Sequence, residues 1–342
     1  MDLRLTAEQQ QLVEAFASLY ADAAPPERVR EAEPLGHLPD LWDRLKATGA
    51  VEMAVPESNG GWGASLLDLA LVAEQHGRYL APAPLVEAQV AARLLARVPA
   101  AGDVLADVVA GQRLVTIAVR PARDGVATLV PAGAVADAAI VLDGDRLLLV
   151  PVPGDVRHVV NTGAMPLADL IVGDGVTVLE SGGEALNLFA AAVDEWRVLT
   201  AAALGGIAAR ALEIGVAYAK ERQAFGQPIG SFQGVAHRLA DRAMEVDGAE
   251  LLAREAAWAA AEDPQRAAEL AAMAFGFAAE TARDTTYYAL HFHGGYGFML
   301  EYDIQLYFRR ARAWAGVLGE PRDAYRRVTD VRLATDAVTV GS

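Results

Sequence analysis

Apolar residues recur at helical spacing along the N-terminal third of the chain. Leu12, Phe16 and Leu19 lie three or four residues apart and would line one face of a helix. This segment opens with Thr6 and has Gln9 three residues later, the arrangement of a capping box. Segments rich in Pro, Asn and Gly, such as VPESNGGWGAS, would form the intervening loops. The pattern predicts helices over residues 5–23, 39–49, 65–79 and 84–97.

The hydrophobic pattern changes near residue 112. Between Arg113 and Leu179, short runs of Val, Leu and Ile such as LVTIAV and RLLLVPV alternate with Asp-Gly, Gly-Asp and Pro-Gly pairs. Apolar runs of this length between turn pairs indicate antiparallel strands joined by hairpins. A small β region is therefore expected in the middle of the chain.

From about Glu184 the helical period returns. It predicts helices over 200–220 and 234–262, and Asp263-Pro264 places a cap and a first-position proline at the start of the next helix. The order of elements predicts an α+β fold. Its three domains would be an N-terminal helical domain (1–111), a small middle β domain (112–182) and a C-terminal helical bundle (183–342).

Composition and charge limit the classes of function. The 342 residues carry 29 Lys and Arg against 45 Asp and Glu, a net charge of −16, so a basic surface for nucleic acid is not expected. There are no cysteines, which excludes disulfides, thiolate catalysis and cysteine-bound zinc. The opening MDLRLTAEQQ does not resemble a signal peptide, and no uncharged apolar run reaches the ~20 residues of a membrane span. We therefore expect a cytoplasmic protein.

The first segment with candidate chemistry is KERQAFGQPIGSFQGVAHRLAD, residues 220–241. It joins two predicted helices by a turn that carries Arg222, Phe225 and Gln233. A guanidinium suits a pyrophosphate, an aromatic face suits a base ring, and an amide suits polar ring atoms, so the turn could bind a dinucleotide. On these residues alone, the alternative is an ordinary helix–loop–helix with a capping arginine and a core phenylalanine.

The second segment is HFHGGYGFMLEYD, residues 291–303. Gly294 and Gly295 would let the backbone approach a ligand closely and offer N–H groups to phosphate or adenine. The preceding residues predict a helix rather than a strand, which argues against a Rossmann fingerprint. His291 and His293 are two apart and do not share a helix face, so no metal site is predicted.

Taken together, the two segments resemble the acyl-CoA dehydrogenase family, through KERQAFGQPIGSFQ and HFHGGYGFMLEYDIQLYFRRAR. The N-terminal VPESNGGWGASLLDLALVAEQHGR is also similar to that family. The resemblance implies a helical domain, a small middle β domain and a C-terminal four-helix bundle. It also implies an FAD-dependent α,β-dehydrogenation of an acyl-CoA thioester. The cofactor would be held by Arg222, Phe225, Gln233, His291, Gly294 and Gly295.

The resemblance also specifies two positions for the catalytic glutamate. One follows the RRAR-like segment by six residues, which gives Leu318, and the other precedes an arginine after the β domain, which gives Trp196. Both residues are apolar here. Glu320 and Glu195 are the nearest carboxylates, but one residue turns a helical side chain by about 100°. The resemblance therefore implies a chain without a base, with Glu320 and Glu195 as candidates only after a local shift.

A family strand motif like T-E-P is replaced by Val119, Arg120 and Pro121. This places the flavin-ring contacts and the CoA channel in question, whereas the residues that would reach a neighbouring subunit's FAD are kept. The chain thus resembles the short, base-less subunit of actinobacterial heterotetrameric α2β2 acyl-CoA dehydrogenases of sterol side-chain degradation. A longer catalytic subunit would then be its partner and would bind most of the acyl-CoA.

Two other functions remain open at this point. One is a self-sufficient homotetrameric dehydrogenase that uses Glu320 or Glu195 as its base. The other is a non-catalytic scaffold that binds flavin or acyl-CoA.

Overall fold

The computed structural model describes the backbone of residues 4–340 and the side chains of residues 4–333. Helices precede and follow a small β region, in the predicted order. The helices are α1 (Ala7–Ala23), α2 (Pro26–Glu31), α3 (Pro39–Ala47), α4 (Leu66–Arg78), α5 (Leu85–Leu95), α6 (Gly102–Val109), α7 (Gly182–Glu221), α8 (Gln233–Glu262), α9 (Pro264–His293), α10 (Ile304–Gly316) and α11 (Pro321–Val340). The strands are β1 (Val115–Ile117), β2 (Val126–Val130), β3 (Ala138–Asp143), β4 (Arg146–Pro151), β5 (Ala168–Ile171), β6 (Thr177–Ser181), β7 (Gln223–Ala224) and β8 (Gln227–Pro228).

The chain divides into two compact units. One combines the segment up to Pro26, the segment Ala70–Ala81 and everything from Arg197 onward. The other combines Glu27–Leu69 with Pro82–Trp196. These units are interleaved along the sequence, so the three-domain division at 111/112 and 182/183 stays a prediction.

The N-terminal helices lie close to their predicted bounds. The capping box at the start of α1 is formed: the Gln9 backbone N–H donates to the Thr6 hydroxyl oxygen over 3.2 Å, and the Thr6 N–H donates to the Gln9 side chain over 3.1 Å. The short helices α2 and α6 have no counterpart in the sequence prediction. Each has only six to eight residues, too few for a helical period to be read from the sequence.

The four-stranded sheet has the order β1-β3-β4-β6. β3 pairs with β4, and β4 with β6, in the antiparallel sense that was predicted. The expectation of antiparallel hairpins throughout is wrong for β1, which pairs with β3 in parallel. The reason is that β2 leaves this sheet and pairs with β5 in a separate two-stranded sheet, so β1 and β3 are joined by a crossover.

The two small sheets share one apolar core. Side chains from β2 and β5 pack with side chains from β3 and β4, and all of them are almost fully excluded from solvent. Burial of this apolar surface is what stabilises so small a β region. The members are Ala118, Ala127, Val130, Ala139, Val141, Leu148, Val150, Ala168 and Leu170.

Long helices make up the C-terminal part. α7 is long and apolar enough to cross a membrane by length and composition, but 72% of its most apolar window is buried in the protein, as in a core helix. α9 packs against α8, α10 and α11. Asp263 is the N-cap residue of α9 and Pro264 its first residue, as predicted, but the Asp263 side chain makes no capping hydrogen bond. Its carboxylate lies 4.0 Å from Arg266 instead.

Candidate functional site

The turn after α7 presents an aromatic ring to the outside. β7 and β8 form a two-residue hairpin with Phe225 and Gly226 at its tip, both at positive φ (53° and 81°). A positive φ is costly for a bulky residue and points to a local constraint. The Phe225 side chain is 96% exposed, so the reading of this residue as a core phenylalanine is wrong. Its ring touches Phe232 edge-on, with 6.1 Å between the ring centroids.

Arg222 lies beside the glycine segment that follows α9. Its guanidinium carbon is 5.7 Å from the centroid of the Tyr296 ring, a cation–π contact. Its backbone N–H donates to the Tyr218 carbonyl over 2.9 Å, and its own carbonyl accepts from the Ile229 N–H over 2.8 Å. The structure thus brings together the two segments that sequence reasoning linked only by resemblance.

The glycines leave open space beside the backbone. α9 ends at Gly294, which has a positive φ of 61°. A side chain at Gly294 or Gly295 would meet no other heavy atom within 4 Å. All six predicted cofactor contacts are exposed in the same compact unit: Arg222, Phe225, Gln233, His291, Gly294 and Gly295.

These side chains fit the ADP half of FAD. A solvent-facing guanidinium can bind a pyrophosphate, an exposed phenyl ring can stack on a purine, and unfilled space at two glycines lets the backbone approach. His291 stacks on Tyr287 at 5.7 Å with 13° between the ring planes, one helical turn before the glycines. Gln233 is the first residue of α8 and follows Phe232 directly.

A partly buried aromatic cluster next to Arg222 and Gly294 was missed by the sequence analysis. The rings of Tyr218 and His293 are stacked, with centroids 3.9 Å apart and 21° between their planes. Tyr302 contacts both rings edge-on, at 6.3 Å and 5.7 Å. The available signal was a tyrosine four residues before Arg222 and a histidine next to Gly294, which sequence reasoning tested only as a metal ligand.

The predicted base positions hold side chains that cannot accept a proton. Trp196 is fully buried inside α7, and its indole N–H donates to Oε1 of Glu87 on α5 over 3.3 Å. Burial raises the pKa of Glu87. Leu318 follows α10 and is partly buried, and its N–H donates to the Ala315 carbonyl over 3.2 Å.

Glu195, the carboxylate next to the predicted base position at Trp196, is held by two arginines. The Nε of Arg93 donates to one carboxylate oxygen over 2.9 Å, and Arg97 contacts the other. Glu195 is 8% exposed, so these bonds are largely shielded from water. A general base must have an oxygen free to reach the substrate proton. In this structure both oxygens of Glu195 are engaged.

Glu320, the carboxylate nearest the predicted base position at Leu318, is exposed and directly precedes α11. Its N–H donates to the Asp323 carboxylate over 3.1 Å, as in half of a capping box. It borders a cleft of about 120 Å³ that Arg283 also lines. The pKa of Arg283 is raised by its hydrogen bond to Asp284, with smaller contributions from nearby carboxylates that include Glu320. Proton abstraction from carbon needs a carboxylate in a dry pocket, and the solvated carboxylate of Glu320, near a cation, does not have such surroundings.

The strand motif is altered where hydroxyl groups would be expected. β1 runs directly into Ala118 and Val119, which are 1% and 4% exposed. Arg120, which is half-buried, and Pro121, which is exposed, follow. Val119 has no polar side-chain atom and cannot donate to a flavin or to CoA.

Two family profiles and several known proteins match this chain. The profile of the acyl-CoA dehydrogenase N-terminal domain matches residues 6–99, and that of the C-terminal domain matches residues 186–319. Acyl-CoA dehydrogenase IpdE2 of Mycolicibacterium smegmatis is 34% identical over 95% of this chain and 98% of its own.

Two solved structures share the fold and are 28% identical in sequence. The ChsE4-ChsE5 complex from Mycobacterium tuberculosis contains a chain that superposes with a TM-score of 0.87, over 96% of this chain and 98% of that one. The Tcur3481-Tcur3483 steroid ACAD G363A variant gives a TM-score of 0.86, over 96% and 99%. The predicted fold and family are therefore confirmed. The chain belongs to the acyl-CoA dehydrogenase family, whose members are oxidoreductases acting on acyl-CoA with FAD as cofactor.

Proposed function

We propose that this chain is the non-catalytic subunit of a heteromeric acyl-CoA dehydrogenase. In this proposal it completes the FAD site of a longer partner subunit, and the partner supplies the base that removes the α-proton. The observation that carries the proposal is the state of Glu195, whose two oxygens are bound by Arg93 and Arg97. The exposure of Glu320 and the side chains of Trp196 and Leu318 agree with it.

The residues of this chain would act by binding and orienting the cofactor. Arg222 would bind the pyrophosphate, and the exposed ring of Phe225 would stack on the adenine. The N–H groups of Gly294 and Gly295 and the amide of Gln233 would contact the remaining polar atoms of the ADP half. When bound, FAD supplies the hydride acceptor of the reaction.

The partner and substrate follow from the relatives. The two solved structures are those of a ChsE4-ChsE5 complex and a Tcur3481-Tcur3483 steroid ACAD. By analogy we assign this chain to an α2β2 complex in the cytoplasm that oxidises the CoA ester of a steroid side chain. The assignment of the substrate rests on fold-level similarity. We also propose the three-domain division at 111/112 and 182/183 for this subunit.

The test compares the chain alone with the complex that a tag on this chain purifies from its own host. The chain alone should not oxidise acyl-CoA, and the complex should do so with about one FAD per pair of unlike subunits. Within the complex, Glu195→Gln and Glu320→Gln should keep the turnover of each folded complex within about twofold. Loss of a true general base would cost ~10²-fold or more.

Each alternative function has its own outcome. Acyl-CoA turnover by the isolated chain, abolished by Glu195→Gln or Glu320→Gln, would establish a self-sufficient dehydrogenase. Flavin bound without any partner, and not bleached by a panel of acyl-CoA esters, would instead indicate a scaffold.

A further inference from the structure

The residues proposed to hold FAD form a clamp with two halves, Arg222 after α7 and the glycine segment Gly294–Gly295 after α9. The stacked rings of Tyr218 and His293 link these two halves. We infer that these two residues are positioning residues for the FAD clamp, an inference that rests on the proposed function. They would fix the distance between the Arg222 guanidinium and the N–H groups of the glycine segment, without touching the cofactor themselves.

The position of each ring in the chain supports this role. Tyr218 lies in the last turn of α7, four residues before Arg222, and its carbonyl accepts the Arg222 N–H over 2.9 Å. His293 is the last residue of α9 and is bonded to Gly294. The two ring centroids lie 3.9 Å apart, so the stack connects the last turn of α7 to the last residue of α9. Moving either ring would move a clamp group with it.

His293 is held in one orientation. It is 4% exposed, and its Nδ1 lies 2.7 Å from the Ala289 carbonyl, so Nδ1 carries a hydrogen and donates it. Burial lowers the pKa of His293, which favours the neutral ring. Tyr302 packs against the stack with interplanar angles near perpendicular, 82° to Tyr218 and 77° to His293. The rings therefore have little freedom to rotate.

The cluster extends to the clamp arginine itself. Tyr302 contacts Tyr296 at 5.9 Å, and Tyr296 lies under the Arg222 guanidinium at 5.7 Å. A continuous series of ring contacts thus leads from Tyr218 on α7, through the residues after α9, back to Arg222. Arg222 is exposed, yet the Tyr296 ring against which its guanidinium packs restricts the orientation of the side chain.

The packing of α7 against α9 has another source. A Cβ atom at Gly215 would lie 3.0 Å from the Cβ of Ala289, so the helix axes already approach closely before the stack is reached. Loss of the ring contact should consequently leave the helices packed and displace mainly the segments beyond them. This separates a positioning role from a general contribution to stability.

The experiment uses the complex purified by a tag on this chain, stripped of flavin and titrated with FAD. His293→Leu replaces the imidazole by an apolar side chain and removes the stack, and it should weaken FAD binding by about tenfold. His293→Phe restores a ring and should bind within about twofold of the wild type. The urea midpoint of both variants should fall, since both lose the hydrogen bond to Ala289, and it should fall further for His293→Leu, which also loses the ring stack.

Two further variants complete the design. Tyr218→Leu and Tyr218→Phe repeat the comparison from the other side, in case His293→Leu does not assemble. Arg222→Ala removes a clamp group directly. If Arg222→Ala weakens FAD binding but the two leucine variants bind as tightly as wild type, the positioning role is refuted and the proposed function stands. If Arg222→Ala also has no effect, the proposed function itself fails.

Discussion

The indole N–H of Trp196 donates to the carboxyl group of Glu87 over 3.3 Å, and both side chains are buried. The contact joins α7 to α5 at one of the two positions predicted for the base. A tryptophan there needs an acceptor for its N–H, and Glu87 provides one. The cost is a carboxyl group 5% exposed to solvent, whose pKa is raised by that burial. The same contact therefore predicts a pH-dependent stability.

Glu87→Gln should become more stable relative to the wild type as pH rises. A carboxyl group whose pKa is higher in the folded state stabilises the fold below its unfolded pKa, and this contribution is lost as pH rises through the folded pKa. Glutamine keeps an acceptor for the indole and does not titrate. Free energies of unfolding in urea at pH 5, 6.5 and 8 measure the effect.

Glu87→Leu is the matched control for that prediction. It removes the titrating group, as Glu87→Gln does, and also leaves the Trp196 N–H without this acceptor, which should cost about 1–3 kcal/mol relative to Glu87→Gln at each pH. Equal pH profiles for the wild type and Glu87→Gln would show that Glu87 does not titrate differently on folding.

Glu195→Gln should destabilise the fold by about 2 kcal/mol. It leaves Arg93 and Arg97 without their shared anion, and removing one partner of a buried ion pair costs more than the pair itself contributes. The Arg97 side chain is 38% exposed, so water offsets part of that loss. Glu184→Gln, exposed in the first turn of the same helix, should change stability by less than about 0.5 kcal/mol. A Glu195→Gln variant as stable as the control would contradict the ion-pair reading.

The helices were predictable because their signals are local. The hydroxyl of Thr6 and the amide of Gln9 are three residues apart, and apolar periodicity marked α4, α5 and α8 within a few residues. The parallel pairing of β1 and β3 was not predictable. Asp-Gly pairs mark turns, but no local signal shows that β2 pairs with a strand far along the chain.

The candidate site was likewise predictable in its local features and not in its long-range contacts. Arg222 and Gly294 were found because their residue types suit phosphate, but their proximity is a tertiary fact. Arg93, one of the two arginines that bind Glu195, lies 102 residues away, so this contact has no signature near either residue. Phe225 was named as a candidate contact, but its exposure and its positive φ were the least predictable features, since a phenylalanine is usually buried and a positive φ is rare outside glycine.

Acid should destabilise the fold partly through His76. This residue is 1% exposed, its Nδ1 lies 3.2 Å from the Tyr20 hydroxyl, and burial, with a smaller effect of Arg310, lowers its pKa to about 3. A histidine with a lowered folded pKa stabilises the protein above its unfolded pKa, near 6.5, and this contribution is lost as pH falls toward 3. The expected slope is up to about 1.4 kcal/mol per pH unit in that window.

The measurement for His76 is the acid limb of stability, by urea unfolding between pH 7 and 4. His76→Asn keeps a hydrogen-bond partner for Tyr20 and does not titrate, so its limb should be flatter although it is less stable at pH 7. His237→Asn, on the exposed face of α8, should leave the slope unchanged. If the free energy of unfolding fell equally with decreasing pH in all three proteins, His76 would be excluded as a source of the acid destabilisation.

Two glycines let α4 and α7 approach until their backbones touch. A Cβ atom at Gly77 would lie 1.8 Å from the Ala203 carbonyl oxygen, and one at Gly206 would lie 2.0 Å from the Glu74 carbonyl oxygen. Glycine is normally a poor helix residue, and replacing it by alanine gains up to ~1 kcal/mol where space allows. Here the obstructing atoms are backbone and cannot rotate away.

Gly77→Ala and Gly206→Ala should each cost about 3 kcal/mol or more, because the two helices must separate to admit a methyl group. Gly205→Ala is the matched control. Its Cβ would meet only the Glu250 Cγ, at 3.6 Å, an ordinary contact, so it should be neutral or stabilising by ~0.5–1 kcal/mol. Urea unfolding of the three variants measures the difference. If Gly206→Ala and Gly205→Ala were equally stable, the close crossing of α4 and α7 would be wrong.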